Sequence, residues 1–298
     1  MIESRLGEFA ALLTAGCWTL GALAFEVACK RAGSLAVNWI RLVMGFVLLS
    51  LFCWFNRGML FPSDASAHAW LWLSLSGIIG FSIGDLFLLR AFTVIGARIS
   101  MLVMTSVPPI TALIGWAVLG ETLGKRGLLG MALTVGGIVF VVLERKTGQE
   151  QKGFTYSVKG VLLAFGGAVG QAVGLVLSKY GMGSYDAFAA NQIRIFAAGI
   201  SFSIVLFPIR GWLRVENAIK NRKAIFPTFL GAFFAVFLGV SFSLMAVQHT
   251  STGVASTIMA IVPVLIIPPA VILFKEKVTF REVFGAVVAV SGVALLFY

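Results

Sequence analysis

Charge is what this chain has least of. Only 12% of its 298 residues are Asp, Glu, Lys or Arg, against 59% hydrophobic residues and a mean hydropathy of +0.99. So little polar surface cannot cover a globule in water, which excludes a soluble domain. Acid is scarcer still, with 12 Asp and Glu facing 23 Lys and Arg for a net charge of +11. A nucleic-acid surface would gather those cations on one soluble face. Here they punctuate the ends of apolar runs, so no nucleic-acid partner is expected. Histidine is limited to His68 and His249, and cysteine to Cys17, Cys29 and Cys53 in the first two apolar runs. Their spacing suits neither a metal site nor a disulfide framework. No nucleophile, base and metal constellation suggests an enzyme. No metal, cofactor or catalytic residue is expected.

What fills the chain instead is a series of charge-poor runs, each about 17 to 25 residues long and able to cross a hydrocarbon core as a helix. The sequence predicts ten. They span 9–28, 35–55, 69–92, 99–119 and 128–143, then 161–179, 187–208, 226–247, 254–274 and 283–297. The one long polar stretch, 144–159, lies between the two sets. The expected fold is an all-α integral membrane protein with a lipid bilayer as its solvent. The first run has its counterpart in run six and lacks a cleavage pattern, so it does not read as a removable signal peptide.

The two sets are copies of one unit. Residues 94–142 return, reworded, as 250–296, with Pro108 over Pro263, Glu121 over Glu276, Gly130 over Gly285 and Gly137 over Gly292, each 155 positions later. At a spacing of 153, N-W-I-R at Asn38 to Arg41 returns as N-Q-I-R at Asn191 to Arg194. The predicted organisation is a first five-helix unit (1–143), a linker (144–159) and a second unit (160–298). Five crossings is an odd number, so the second copy enters the bilayer inverted. Inverted repeats place a shared cavity near the midplane and exchange conformations to open it on alternate sides, which points to secondary transport.

Sidedness follows from the cations. With Arg41, Arg90 and Arg194 set aside as intramembrane, 15 Lys and Arg fall on the side of the linker and five on the side of the N-terminus. The positive-inside rule then favours a cytoplasmic linker and both termini outside.

Polar residues inside the runs are the candidate site. Pro108 and Pro263 deprive the Met104 and Met259 carbonyls of their helical donors, so runs four and nine should open there. The freed groups must be satisfied by protein or a wet cavity, which nominates Thr105, Ser256 and Met259 with their neighbours. Asp85, within GFSIGDLFLLRAF, is the strongest intramembrane acid, and its counterpart is Val240. It reads either as a substrate, coupling-ion or proton site or as a structural partner of Arg41. Ser82 shares roughly its helical face. Arg41 and Arg194 read either as arginines snorkelling to the headgroups or as groups tying runs two and seven to nearby carbonyls or to an anionic substrate. Glu26, four residues before Lys30, reads as an interfacial ion pair. Trp18 in run one and Gln171 in run six offer an apolar wall with one donor and an amide in need of a partner. Ser241, Ser243 and Gln248 are further polar candidates in run eight. Gly130 with Thr134, and Gly285 with Ala289, form matching small-xxx-small steps that should let runs five and ten cross closely.

Several of these residues resemble one family. A-F-x-x-x-G-A-R-x-S at Ala91 to Ser100, the mid-helix Pro108, G-E-T at Gly120 to Thr122 and G-x-x-x-x-x-G-G at Gly130 to Gly137 are similar to the EamA permeases of the drug/metabolite transporter superfamily. Trp18, K-E-K at Lys275 to Lys277 and G-x-x-x-x-x-S-G at Gly285 to Gly292 fit the same pattern. The resemblance spans both halves. It implies a ten-helix basket, a cavity bordered by helices one, three, four, six, eight and nine, and a role in moving amino acids, metabolites or drugs, often outward. It also implies cytoplasmic termini, opposite to the charge count, and a structural role for Glu121 and Glu276.

The reading is therefore an alternating-access exporter of small metabolites, with amino acids the leading class, in a bacterial-type inner membrane. Substrate or coupling ion would be met by Trp18, Ser82, Asp85, Thr105, Gln171, Ser241, Ser256 and Met259, with Asp85 as the group for a coupling proton. Asn38, Arg41, Pro108, Asn191, Arg194 and Pro263 would be structural or gating. A channel or a lipid scramblase is the alternative.

Overall fold

The computed structural model describes residues 6–119, 125–143, 156–208, 211–249, 255, 258–275 and 278–297. Residues 144–155 of the expected linker, Ser256, Glu121, Glu276 and Lys277 lie outside the described residues; 158 and 159, expected in the linker, are helical.

The described chain is helical, without a strand. In order it forms α1 (Leu6–Ala32), α2 (Ser34–Arg57), α3 (Ala67–Gly77), a π-helical segment π1 (Ile78–Gly84), α4 (Asp85–Met104), α5 (Val107–Leu119), α6 (Lys125–Val142), α7 (Val158–Met182) and α8 (Ala187–Leu206). There follow α9 (Trp212–Lys220), α10 (Arg222–Gly231), a second π segment π2 (Ala232–Gly239), α11 (Val240–His249), α12 (Val262–Leu265), α13 (Ile267–Phe274) and α14 (Phe280–Phe297).

Seven of these helical stretches are long and apolar enough to cross a membrane, by length and composition. The sequence predicted ten runs; runs four, nine and ten give no separate span among the described residues, and backbone breaks divide four and nine. Ala67–Met104 is continuous over 38 residues, yet Gly96 within it has φ 77° and ψ 164°, so runs three and four meet at a bend. Run four then breaks again at Thr105 and Ser106, leaving α5 with 13 residues. Run nine is divided between α12 and α13.

The bend at Gly96 is held from α1. Glu26 is buried, accepts the Ala97 N–H at 2.8 Å and pairs with Lys30 at 2.5 Å. The ion pair expected from sequence is present, but the same carboxylate also caps the helix that restarts after Gly96, a negative charge at an N-terminus.

Small residues decide how closely the helices approach. A side chain at Gly84 would meet Gly170 of α7 at 3.1 Å, and one at Gly77 would sit 2.0 Å from the backbone oxygen of Arg194. The anticipated crossing of runs five and ten is present as α6 on α14. There a Cβ on Gly137 would lie 2.7 Å from the Gly285 oxygen and one on Gly292 would lie 2.5 Å from the Thr134 nitrogen. In lipid no hydrophobic force drives helices together, so such backbone-to-backbone contact, with dispersion gained over its length, carries the association.

Candidate functional site

Each π segment exposes a backbone oxygen, and an asparagine answers each one. Asn38 of α2 donates to the Phe81 oxygen in π1 at 3.3 Å, and Asn191 of α8 donates to the Val236 oxygen in π2 at 2.9 Å. A π turn inserts extra backbone into a helix and leaves such groups without their usual partners, which is why it recurs at functional positions. These two asparagines therefore tie the neighbouring helix to the widened turn, one of the readings the sequence left open.

Between the π segments lies a chamber of about 1150 Å³, counting the space at its mouth. Its wall includes Trp18 and Phe25 of α1, Phe81 of π1, Asp85, Phe92 and Met101 of α4, Gln171 of α7, Val236 of π2, and Ser243 of α11. The two proline breaks border it symmetrically. Met104, Thr105, Val107 and Pro108 line one part, and Met259, Ala260, Val262 and Pro263 line another. At the first break two hydroxyls bind back to the preceding turn. Thr105 Oγ1 donates to the Leu102 oxygen at 2.6 Å and Ser106 Oγ to the Val103 oxygen at 2.7 Å. These walls come from the six runs the family resemblance implied, with Arg41 and Arg194 reaching in from α2 and α8.

Those arginines do not snorkel. Arg41 is 3% exposed and Arg194 is 6% exposed. Each lies deep among packed helices, where an ionised group needs compensation. Arg41 has it in full. Its Nη2 contacts Asp85 Oδ2 at 2.8 Å and Asn38 Oδ1 at 2.7 Å, its Nε contacts the same Asn38 oxygen at 3.0 Å, and the rings of Phe25 and Phe81 lie beside it. Asp85 is thus both on the chamber wall and the ion-pair partner of Arg41. Arg194 has less. Its Nε donates to Ser76 Oγ at 3.0 Å and its guanidinium lies 4.7 Å from the centre of the Phe81 ring. Among the described residues, no carboxylate pairs with it and its Nη groups make no hydrogen bond.

The structure therefore gathers Trp18, Asp85, Thr105, Gln171, Met259, Arg41, Arg194, Pro108 and Pro263 around one space. Two candidates sit elsewhere. Ser82 faces α8, donating to the Ala198 oxygen at 2.9 Å and pairing with Ser201 at 2.7 Å. Ser241 is fully buried and is held by Asn191 at 3.0 Å. An α-helical wheel puts Ser82 on the face of Asp85, but the extra backbone of π1 lies between them and turns Ser82 outward. Gln248 is at the far end of α11, bonded to the Gly183 and Tyr185 oxygens. Residues that sequence reasoning did not single out, Phe25, Phe81, Phe92 and Met101, form the apolar wall. Nothing but ordinary hydrophobicity marks them in the sequence.

No curated protein matches the sequence. A solved crystal structure, described only as that of a protein, is 17% identical, covering 98% of this chain and 95% of that one with a TM-score of 0.62, a likeness of fold. The EamA-like transporter family matches the chain twice, over residues 5–143 and 158–298. Two family matches, on a multi-pass helical chain with a chamber between breaks of both copies, make this protein a member of the EamA-like transporter family, a membrane permease of the drug/metabolite transporter superfamily.

Proposed function

We propose that this permease is a secondary active transporter that exports small metabolites, with amino acids the leading class, by alternating access. In this reading the chain crosses an inner membrane of bacterial type ten times, as two inverted five-helix units, 1–143 and 160–298, joined by the linker 144–159. The observation that carries it is the pairing of equivalent weak points around one chamber. The breaks before Pro108 and Pro263 and the π segments π1 and π2 recur at the repeat spacing, and both sets border the same space. Two similar halves with matched breaks can exchange shapes, closing one mouth as the other opens.

Asp85 is the proposed site of a coupling proton, being an intramembrane carboxylate on the chamber wall. Trp18, Thr105, Gln171 and Met259 are the proposed contacts for cargo.

Counterflow in liposomes tests the mechanism. Purified protein is reconstituted, loaded with unlabelled solute and offered the same solute labelled outside. Saturable, transient accumulation above equilibrium supports alternating access. Flux that rises linearly with concentration, without counterflow, would replace it with a channel or a scramblase. A thermal-shift screen of amino acids, nucleosides, sugars and organic acids selects the solute, because a ligand of the folded state raises apparent stability.

A further inference from the structure

The charged groups on the chamber wall do not balance. Among the described residues that line it, two arginines (Arg41, Arg194) face one acid (Asp85), leaving one positive charge in excess. The repeat explains how. Arg41 and Arg194 are equivalent at a spacing of 153, but Asp85, at 155, has Val240 as its counterpart. The first arginine therefore has an acid from its own half, and the second has none.

From this we infer that the chamber selects a small organic monocarboxylate with an apolar or aromatic body, its carboxylate docked on the Nη edge of Arg194. The inference rests on the chamber being the cargo site, and within the small metabolites proposed above it favours solutes of net negative charge over zwitterionic amino acids. Three observations converge on it. Arg194 is buried, yet among the described residues only its Nε is bonded, so its two Nη groups keep donors for an incoming acceptor. A planar guanidinium edge offers parallel N–H groups at the spacing of a carboxylate. Most of the rest of the wall is apolar, with Trp18, Phe25, Phe81 and Phe92 providing ring surface for the body of the ligand.

The charge count decides between a carboxylate and a zwitterion. A monoanion cancels the excess charge, whereas a zwitterion leaves it in place. An ammonium group would also find Asp85 already committed to Arg41 at 2.8 Å. A dianion would overshoot. The single excess charge thus favours one carboxylate over a phosphate monoester.

The test is a charge series on one body: 3-phenylpropionate, L-phenylalanine, 3-phenylpropanol and 3-phenylpropylamine, titrated against detergent-purified full-length protein by thermal shift and calorimetry. The anion is expected to bind most tightly. Arg194→Gln should weaken the anion about tenfold or more, the scale of losing hydrogen bonds to a charged group, while changing the alcohol little. Asp85→Asn should act with the opposite sign, tightening the anion by raising the excess charge, and this second variant keeps the test open if Arg194→Gln fails to fold. Equal or tighter binding of the zwitterion, alcohol or amine, binding of none of the four, or weakening of the anion by Asp85→Asn would each overturn the assignment. Counterflow of a neutral or cationic solute without anion preference would leave transport standing and remove this inference. Anion binding without counterflow would do the reverse.

Discussion

Asn38 and Asn191, 153 positions apart, perform one task twice: each donates its side-chain N–H to a backbone oxygen inside a π segment of a neighbouring helix. Their surroundings differ. Asn38 Oδ1 accepts from both Nε and Nη2 of Arg41, while Asn191 Oδ1 has no partner among the described residues and its amide also donates to Ser241 Oγ at 3.0 Å. Replacing Asn191 by Leu strips the Val236 and Ser241 oxygens of a donor and is expected to cost about 1–3 kcal/mol. Asn38→Leu should cost more, because it also strips a buried arginine of an acceptor. Melting temperatures of the two variants in one detergent check the order. Equal losses would mean that Asp85 alone compensates Arg41.

Gln171 lines the chamber and makes no hydrogen bond among the described residues. In the proposed reading its amide serves whatever occupies the chamber and adds little to the fold. Gln171→Leu is expected to leave the melting temperature within about 2 °C of the parent, well inside the range of a neutral substitution, while altering affinity for the transported solute several-fold. A large loss of stability without change in affinity would move Gln171 from the site to the scaffold.

Asp85→Asn should abolish uptake driven by a pH gradient while folded protein and saturable binding persist. Arg41 keeps its contacts to Asn38 Oδ1 at 2.7 and 3.0 Å, so the fold is not left with an unsupported cation. Uptake in liposomes with and without an imposed gradient is the measurement. Full gradient-driven activity in the variant would remove Asp85 from the coupling step.

Outside the predicted runs, Asp64 pairs with Arg57 at 2.5 Å and accepts the Tyr185 hydroxyl at 2.8 Å. Burial alone would raise its carboxyl, but the hydrogen bond from Tyr185, the local backbone and the charge of Arg57 outweigh it and hold it below the ordinary carboxylate value. A depressed acid stabilises the folded state above its unfolded pKa and ceases to do so as pH falls through the folded one. The pair is partly exposed, so the expected contribution is about 0.5 kcal/mol. Asp64→Asn should therefore lower the melting temperature slightly at pH 7, and the gap to the parent should close as the pH drops through the carboxylate range. A gap that widens with acid would give the opposite sign and overturn this account.

How much of this could be read from the chain depended on whether the signal was local. The helical membrane character, the repeat, the helix breaks at Pro108 and Pro263 and the close crossing of α6 and α14 all follow from composition or spacing, and Trp18, Asp85 and Gln171 line one chamber. Ser82 and Ser241 face other helices, which spacing does not show because helical-face arguments assume a constant turn and both lie in or beside a π segment. Arg194 was legible only in part. Its recurrence in N-x-I-R marked it, but an arginine two turns inside a helix can snorkel, and only the packing of α3 and π1 over α8 shows that this one stays buried.

The seam between α6 and α14 has a consequence for how the gene would look under random mutation. Gly136 and Gly137 are neighbours, yet a methyl group on the first meets open space while one on the second meets backbone at 2.7 Å. A library sorted for abundance of folded protein should therefore retain alanine at 136 and discard it at 137. The same sort should be indifferent to most changes at Gln171, whose loss registers only when transport is scored. Fold and function would then separate along the chain into two sets of positions, read out by two different selections.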